Sequence, residues 1–431
     1  MYSGDLFMKY WLIGIKGTGM SALALILKDM NNDVVGSDNS TYYFTEDNLI
    51  NKNIKYYEFN KNNITGDHYY IIGNAYNYNN IEVKEIIDNK YEYMYYSDFI
   101  ENFFDKKIGI SGTHGKTTTT SICAKFLEDF NISYLIGNGE GKGCLNYNYF
   151  LFEACEYKNN FHKYSYDYLI INNIDYDHVD FFKDIDEVVE SFQEASYNAL
   201  NIIVNNDDEN ARKINHVNKI TYGMRYDSDY VMTDIKEYRD GFLVRVISKY
   251  NDDLLKVPLV GLHNVYNVVV SYVLVKELGL DVNIQSKLYE YKLPKKRMEE
   301  SIINGNIIID DYAHHPREIK ALLSAVKQKY KEYKNDIIVV FQPHTYSRTI
   351  KLKDEFKDLF TDVTLYLAKT YSSAREKENK DLDNVVKKIF SNAIDYDEGT
   401  IEYFKKVKNK IIIFLGAGII ANDIKKMICI I

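Results

Sequence analysis

The stretch GISGTHGKTTTT, residues 109–120, limits what this chain can fold into more than any other. A short apolar climb, FFDKKIGIS, precedes it, and the residues after it place Ile122, Phe126, Leu127 and Phe130 at helical spacing. Strand, glycine turn and helix in that order form a phosphate-binding arrangement. Backbone N–H groups at the helix start face the anion, and the helix dipole adds partial positive charge. Lys116 then reaches the terminal phosphates, and the Thr117 hydroxyl suits a magnesium ion. The usual P-loop string needs a glycine five residues before Gly115, where Ile110 stands; the tighter Gly112-Thr113-His114-Gly115-Lys116-Thr117 replaces it. A plain strand-to-helix turn with a surface lysine is the bland alternative. Two glycines, a lysine and a hydroxyl in register favour a nucleoside triphosphate instead.

At 431 residues the chain has room for about three domains. Its 46% hydrophobic and 27% charged residues are ordinary for a globular protein. Cysteines at 123, 144, 155 and 429 have neither metal-ligand nor disulfide-framework spacing, which fits a reducing interior. No apolar run approaches the roughly twenty residues needed to cross a bilayer. The opening MYSGDLFMKYWLIGIKG lacks a basic region before its apolar stretch, so a signal peptide is rejected and a cytoplasmic location expected, with Met8 an alternative start. A net charge of −9 argues against nonspecific nucleic-acid binding, so an anionic substrate must be held by local groups.

Forty tyrosines with abundant asparagine and lysine read as a compositional bias, which makes the scarce residues informative. Of nine histidines, six (His114, His178, His263, His314, His315 and His344) fall in short motifs at strand ends and helix starts. Arginine is rare beside lysine, so Arg297, Arg348 and Arg375 are candidates for positions that need a planar, two-pronged donor.

Three blocks follow one another, 1–104, 105–292 and 293–431, and all three read as α/β. In the first, Tyr10 to Ile15 is a buried-strand candidate broken by Gly14, Gly17 and Gly19, with a helix from Ser21 and a second strand, DVVGSD, ending at Ser37 and Asp38. The glycines resemble a dinucleotide fingerprint in spirit but not in spacing. The second block adds strands at 148–155, 166–174 and 201–208, a β-rich side or lid over 219–260, and the amphipathic helix GLHNVYNVVVSYVLVKELGL. The third carries strands near 306–312, 336–343, 363–369 and 410–418 with helices between them.

Chemistry gathers at the strand ends. Glu153, in FLFEACEYKNNF, sits where a strand delivers a carboxylate to a magnesium ion shared with Thr117. INNIDYDHVDFF offers Asp175, Asp177, His178 and Asp180 for a second cation, with His178 as the nitrogen ligand. IIIDDYAHHPREIK ends a strand at Asp310-Asp311 and projects His314 and His315 from the next loop. No partner stands at zinc spacing, so recognition or proton transfer suits these histidines better. VVFQPHTYSRT repeats the arrangement with His344, Ser347 and Arg348, the arginine being suited to a two-pronged grip on a carboxylate.

With these residues in hand the chain resembles the Mur ligases over nearly its whole length. IGIKGTGMSALALIL…VVGSD, GTHGKTTTT, FEACEYKNNF, NNIDYDHVDFF, HNVYN, DDYAHHPREI and FQPHTYSRT occur in the family's order and spacing, and EACEY and DYAHHPREI are especially like its alanine-adding members from low-GC Gram-positive bacteria. The resemblance implies a Rossmann-like N-terminal domain for a UDP-sugar, a central P-loop ATPase-type domain and a Rossmann-like C-terminal domain for the amino acid. It implies a muramate carboxylate attacking the γ-phosphate of ATP to give an acyl phosphate. The L-alanine amine then attacks that carbonyl to give amide, ADP and phosphate, in cytoplasmic peptidoglycan precursor synthesis.

Carried onto this sequence, the resemblance gives Gly112, Thr113, His114, Gly115, Lys116, Thr117, Thr118, Asn264, Asn267, Arg297 and Asp311 to ATP. Thr117 and Glu153 go to a first magnesium and His178 to a second, with manganese able to stand in. Gly14, Gly17, Thr18, Gly19, Met20, Ser37 and Asp38 go to the UDP-sugar, and His315, His344 and Arg348 to the alanine and acyl-phosphate region. The partners implied are small molecules, with the chain a monomer or weak dimer. The lysine that many members carbamylate on the helix after Asp-His is missing from DEVVESFQEASYN. Lys296 replaces the first arginine of a usual basic pair, and GAGII lacks a usual acid. A recycling ligase of the same fold that attaches a preformed peptide shares all but the amine pocket. A Rossmann dehydrogenase explains residues 14–38 alone and leaves the P-loop without a place. A non-catalytic regulator has no need of Lys116, Glu153 and His178 together.

Overall fold

The computed structural model describes residues 8–333, 337–372 and 376–427; Arg375 and Cys429 lie outside them. Three sheets follow each other along the chain. The first is parallel, ordered β3-β2-β1-β4-β5, from β1 (Lys9–Ile13), β2 (Asp33–Asp38), β3 (Lys55–Glu58), β4 (Tyr69–Ile72) and β5 (Tyr93–Tyr95). The chain leaves central β1 for β2 on one side and β4 lies on the other, so the Gly14–Gly19 loop opens at the point where strand order reverses.

The central sheet has ten strands: β6 (Lys107–Ser111), β7 (Ile132–Leu135), β8 (Gly141–Lys142), β9 (Tyr149–Glu153), β10 (Tyr166–Ile171), β11 (Ala199–Asn205), β12 (Lys219–Gly223), β13 (Tyr230–Tyr238), β14 (Gly241–Ile247) and β15 (Asp252–Val257). Their order is β15-β14-β13-β12-β11-β10-β6-β9-β7-β8. Strand β6 is buried at every residue between β9 and β10, as expected of a parallel strand covered on both faces. The stretch 219–260 extends this sheet at one side and is not a lid: β12 pairs in parallel with β11 and β13, and β13, β14 and β15 are antiparallel. The third sheet runs β16-β17-β21-β18-β19-β20, from β16 (Glu299–Ile303), β17 (Asn306–Asp311), β18 (Ile337–Phe341), β19 (Thr364–Leu367), β20 (Ile394–Asp395) and β21 (Ile411–Leu415). The apolar runs IIVVF and IIIFL are buried throughout.

The P-loop helix spans Lys116–Phe126 and ends sooner than its periodicity suggests. Leu127 caps it, and Glu128 and Asp129 follow where a helix C-terminus disfavours negative charge. Phe130 packs on the core from the following turn. Helix Leu262–Glu277 is rich in valine, a poor helix former, and holds because almost every residue from Asn264 on is buried against the central sheet.

The first and central sheets share one apolar cluster that includes Leu23, Leu27, Phe104, Phe150 and Phe152. Helix Thr18–Asp29 lies directly on the hairpin of β7 and β8. A Cβ at Gly141 would stand 2.3 Å from the Ala22 carbonyl oxygen, and one at Gly143 2.2 Å from that of Ile26. No side chain fits there. Among the described residues no helix is long and apolar enough to cross a membrane.

Candidate active site

Strand β6 delivers the chain into Gly112 and Gly115, both at positive φ (127° and 81°), and Gly115 starts the helix without a side-chain cap. The first N–H groups of the helix are thereby left for an anion. A Cβ at Gly115 would meet Asn267 Oδ1 at 2.8 Å, so glycine here also lets the loop touch the helix Leu262–Glu277. Lys116 Nζ donates to Glu156 Oε2 at 2.9 Å and Oε1 at 3.2 Å, to Thr113 O at 3.1 Å, and to the Gly112 carbonyl. Glu156 is buried. Desolvation opposes its ionisation, yet Lys116 and then His178 outweigh it and hold the carboxyl down at about 2. His178 adopts a left-handed backbone (φ 52°) that turns its Nε2 to 3.4 Å from Glu156 Oε1. Its ring is fixed against Tyr157, with centroids 4.6 Å apart. Glu153 accepts from the Gly137 amide and the Thr117 hydroxyl, while burial pushes its carboxyl above the usual range.

Two donor sets thus face the P-loop: the Thr117 hydroxyl with the Glu153 carboxylate, and the Glu156 carboxylate with the His178 imidazole. The first set is all oxygen and suits magnesium, and the second joins a carboxylate oxygen to an imidazole nitrogen. Glu156 is a site residue that the motif reading misses. Its signal is present in EACEY, which carries two acids three residues apart just past a strand.

The remaining acids of DYDHVD point elsewhere. Asp175 accepts from His114 Nε2 at 3.1 Å and from Arg317 Nε at 2.9 Å, and His114 Nδ1 faces Glu318 Oε1 at 3.3 Å. Burial alone would lower the His114 pKa, but hydrogen bonds to Asp175 and Glu318 raise it to about 9. His114, Asp175 and His315 present donor atoms within 4.8 Å of one another. With His114 protonated, the cluster forms a charged clasp.

Asp177 takes both prongs of Arg348, Nε to Oδ1 at 2.7 Å and Nη2 to Oδ2 at 3.2 Å, with both residues buried. Arg348 Nη1 donates to His344 Nδ1 at 2.9 Å, and the His344 and His314 rings lie 5.2 Å apart. Asp180 accepts from the Tyr157 hydroxyl at 2.7 Å. Of the four residues expected to surround a second cation, only His178 faces the P-loop carboxylates. The other three hold the loop and the third block in place.

His315, expected near the alanine, is fully buried. Its Nδ1 accepts from the Arg317 amide and caps helix Pro316–Lys329, while Nε2 faces the Tyr176 carbonyl at 3.4 Å. Burial pushes its pKa down to about 4, so the ring is neutral and engaged inside the fold.

Between the central and third blocks lies a cavity of about 380 Å³. His114, Gly115 and Thr118 from the P-loop, Asn264 and Asn267 from the long helix, and Arg297 and Asp311 from the third block all line it. Gly112, Thr113, Lys116 and Thr117 stand outside its wall, on the carboxylate side of the loop. Asn267 Nδ2 donates to Asn264 Oδ1 at 3.3 Å. The Asp311 carboxylate accepts from the Met298 and Ala313 amides at 2.7 and 2.8 Å; burial pushes its pKa up to about 6 against the pull of Arg297. The Arg297 guanidinium lies 5.4 Å over the Tyr312 ring. Asn172 also lines the cavity, and its buried Oδ1 has no hydrogen-bond partner among the described residues.

In the first block, Gly17 starts helix Thr18–Asp29 without a side-chain cap, with Gly14 at φ 81° ahead of it. Gly14 and Gly19 are closed in by Tyr76 and Tyr96, whose atoms would meet a Cβ at 2.1 and 2.9 Å. Thr18 opens the helix and Met20 is buried. Asp38 spends its carboxylate on the loop, accepting from the Lys16 amide at 2.8 Å and the Tyr76 hydroxyl at 3.1 Å. The Ser37 hydroxyl is fully buried and donates to Glu82, so it supports the strand and is closed to any ligand.

Known proteins share this sequence and fold. Residues 9–107 match the Mur ligase family catalytic domain, 110–275 the Mur ligase middle domain, and 296–418 the Mur ligase glutamate ligase domain. The chain is 39% identical over 422 residues to a UDP-N-acetylmuramate–L-alanine ligase of Lactobacillus acidophilus, covering 95% of each chain. It is 38% identical over 422 residues to one of Streptococcus thermophilus, covering 95% of this chain and 94% of the other. Its fold is shared with a UDP-N-acetylmuramate-alanine ligase from Thermotoga maritima (TM-score 0.79, 23% identity, 97% of this chain and 98% of that one). A murein peptide ligase from Psychrobacter arcticus also shares it (TM-score 0.71, 20% identity, 97% and 98%). With three family domains in order and such relatives along almost its full length, this chain belongs to the Mur ligase family.

Proposed function

We infer that this chain uses ATP to join L-alanine to the lactyl carboxylate of UDP-N-acetylmuramate, giving UDP-N-acetylmuramoyl-L-alanine, ADP and phosphate in peptidoglycan synthesis. The single observation that carries the reading is one cavity walled jointly by the P-loop, the Asn264/Asn267 pair and Arg297/Asp311, in a chain 39% identical along its length to a ligase of that name. The blocks divide at 104/105 and 292/293; the three separate sheets support those limits.

In this reading ATP lies with its base and ribose in the cavity, near Asn264, Asn267 and Asp311, and its phosphates over the P-loop amides and Lys116. Arg297 reaches the γ-phosphate from the third block. Magnesium, when bound, supplies charge neutralisation to the phosphates; Thr117 and Glu153 hold one ion and His178 a second. The loop Gly14–Met20 takes the uridine diphosphate through the free N–H groups at its helix start, braced by Asp38. The amino acid lies by His344 and Arg348. Its carboxylate competes with, or joins, Asp177 on the guanidinium. Charge grows first on phosphoryl oxygens and then on the carbonyl oxygen, so fixed cations placed there lower both barriers.

Phosphate release from ATP in the presence of UDP-N-acetylmuramate and each of several amines tests the reading. L-Alanine should drive release. A preformed tripeptide driving it in place of L-alanine would assign the chain to the recycling branch, and dependence on NAD instead of ATP would end the ligase reading.

A further inference from the structure

We propose that Glu156 is a working residue of the phosphoryl-transfer site: it neutralises Lys116 before ATP binds and becomes a ligand of the second magnesium ion, beside His178, once ATP draws the lysine away. The inference rests on the ATP and magnesium reading above and goes beyond it, since it answers how a second ion is held where the helix after Asp-His offers no lysine.

Four observations carry it. Lys116 is curled back onto Glu156 and the carbonyls of Gly112 and Thr113, away from where a γ-phosphate would sit over the helix start. For Lys116 to meet that phosphate, the Lys116–Glu156 pair must open. The Glu156 carboxylate would then be a buried charge without a cation, which is strongly unfavourable unless another positive charge replaces the lysine.

The replacement has a place to bind. Glu156 Oε1 stands 3.4 Å from His178 Nε2. Two neighbouring ligands of an octahedral magnesium, each at about 2.1 Å, lie roughly 3 Å apart. One ion fits both atoms after a shift of a few tenths of an ångström.

The local backbone is also built for this position. Lys158 and Asn159 follow in consecutive left-handed conformations, both at φ 55°, an uncommon run for residues other than glycine. It turns the chain sharply after Glu156 and brings Tyr157 onto the His178 ring. His178 itself needs a left-handed backbone to present Nε2. Three residues in sparsely populated conformations therefore converge on one carboxylate–imidazole pair.

Lastly, Glu153 is engaged separately, with the Gly137 amide and the Thr117 hydroxyl. The two carboxylates of EACEY serve different partners and are not duplicates.

The test counts bound ions. Manganese titrated into the full chain with the non-hydrolysable analogue adenylyl imidodiphosphate is followed by electron paramagnetic resonance. Wild type should take two ions. In Glu156→Gln the weaker ion should bind about 10- to 100-fold less tightly, the range for losing a partner in a metal site, and the tighter ion within about twofold of wild type. Because the glutamine leaves Lys116 without its partner, the pair Lys116→Met and Lys116→Met/Glu156→Gln is measured as well. The double variant should bind the weaker ion less tightly than Lys116→Met by the same factor. Equal affinity for both ions in Glu156→Gln and wild type, or no difference between the two methionine variants, overturns the assignment. A wild-type chain that binds no manganese with the analogue overturns the underlying ATP reading instead.

Discussion

Between the first and central sheets the chain sets backbone against backbone, with Gly141 and Gly143 touching the carbonyls of helix Thr18–Asp29 and Leu23, Leu27, Phe150 and Phe152 filling one cluster. Between the central and third sheets it sets charge against charge: His114 with Glu318, Asp175 with Arg317, and Asp177 with Arg348, the first two pairs beside the cavity. The first contact is close and mainly apolar, with charge at its margins: the Gly143 amide donates to Asp29 at 3.2 Å and the Ser165 hydroxyl to Glu101 at 2.7 Å. The second is ionic and divided by a cavity. Buried ion pairs specify geometry more than they stabilise it, because desolvation cancels much of their attraction. The first two blocks are thus joined by backbone contact and a shared apolar cluster, and the third by a clasp of ion pairs.

The clasp should give the largest effect when one partner is removed. Asp177→Asn leaves the Arg348 guanidinium buried without its carboxylate, at a cost of about 3–5 kcal/mol. In calorimetry the third block should then melt as a separate, earlier transition while the remainder holds its midpoint. One shared transition that shifts as a whole would mean the two contacts are equally cooperative.

Gly141→Ala tests the other contact. Its Cβ meets a backbone oxygen, so the helix must move, and overpacking costs about 1–3 kcal/mol. Here the midpoint of the first two blocks should fall while the affinity for ATP analogues changes little. A matching loss of nucleotide affinity would show that the apolar contact also sets the cavity.

Arg348→Lys keeps the charge but loses the two-pronged geometry. A charge-assisted hydrogen bond is worth about 1.5–3 kcal/mol, so KM for L-alanine should rise roughly 10- to 150-fold. KM values for ATP and the UDP-sugar should stay near wild type. If all three rise together, the arginine serves only the clasp.

The last effect is a pH dependence. His114 stays protonated in the folded chain to about 9, while an unfolded histidine loses its proton near 6.5. Its stabilisation is thus complete below about 6.5 and lost as pH rises through about 9, amounting to up to about 3 kcal/mol. Wild type minus His114→Gln, measured by denaturant unfolding across that range, should fall with rising pH. A flat difference would mean the imidazole is neutral throughout.

Much of the fold is legible in the sequence because buried parallel strands appear as unbroken apolar runs such as IIVVF and IIIFL, and glycines mark the turns that follow them. The end of the P-loop helix is harder, since Phe130 keeps helical spacing without being helical. Site residues are legible by type more readily than by partner. Arg348 reads as a fork and is one, yet its carboxylate partner, Asp177, comes from 171 positions earlier in the chain. His315 looks exposed in a His-His-Pro loop, but the helix beginning at Pro316 turns it inward as a cap. Glu156 escapes notice because a linear string cannot say which of two acids meets the lysine; the strand ends at Glu153, and the chain past it carries Glu156 to Lys116 Nζ.

The glycine contact at 141 and 143 has a practical side. When two of three bodies cannot slide past each other, the opening of the molecule reduces to a single relative coordinate, and one distance suffices to follow it. A donor and acceptor dye, one on the outer face of the first block and one on the third, would report the same motion as labels on the central block.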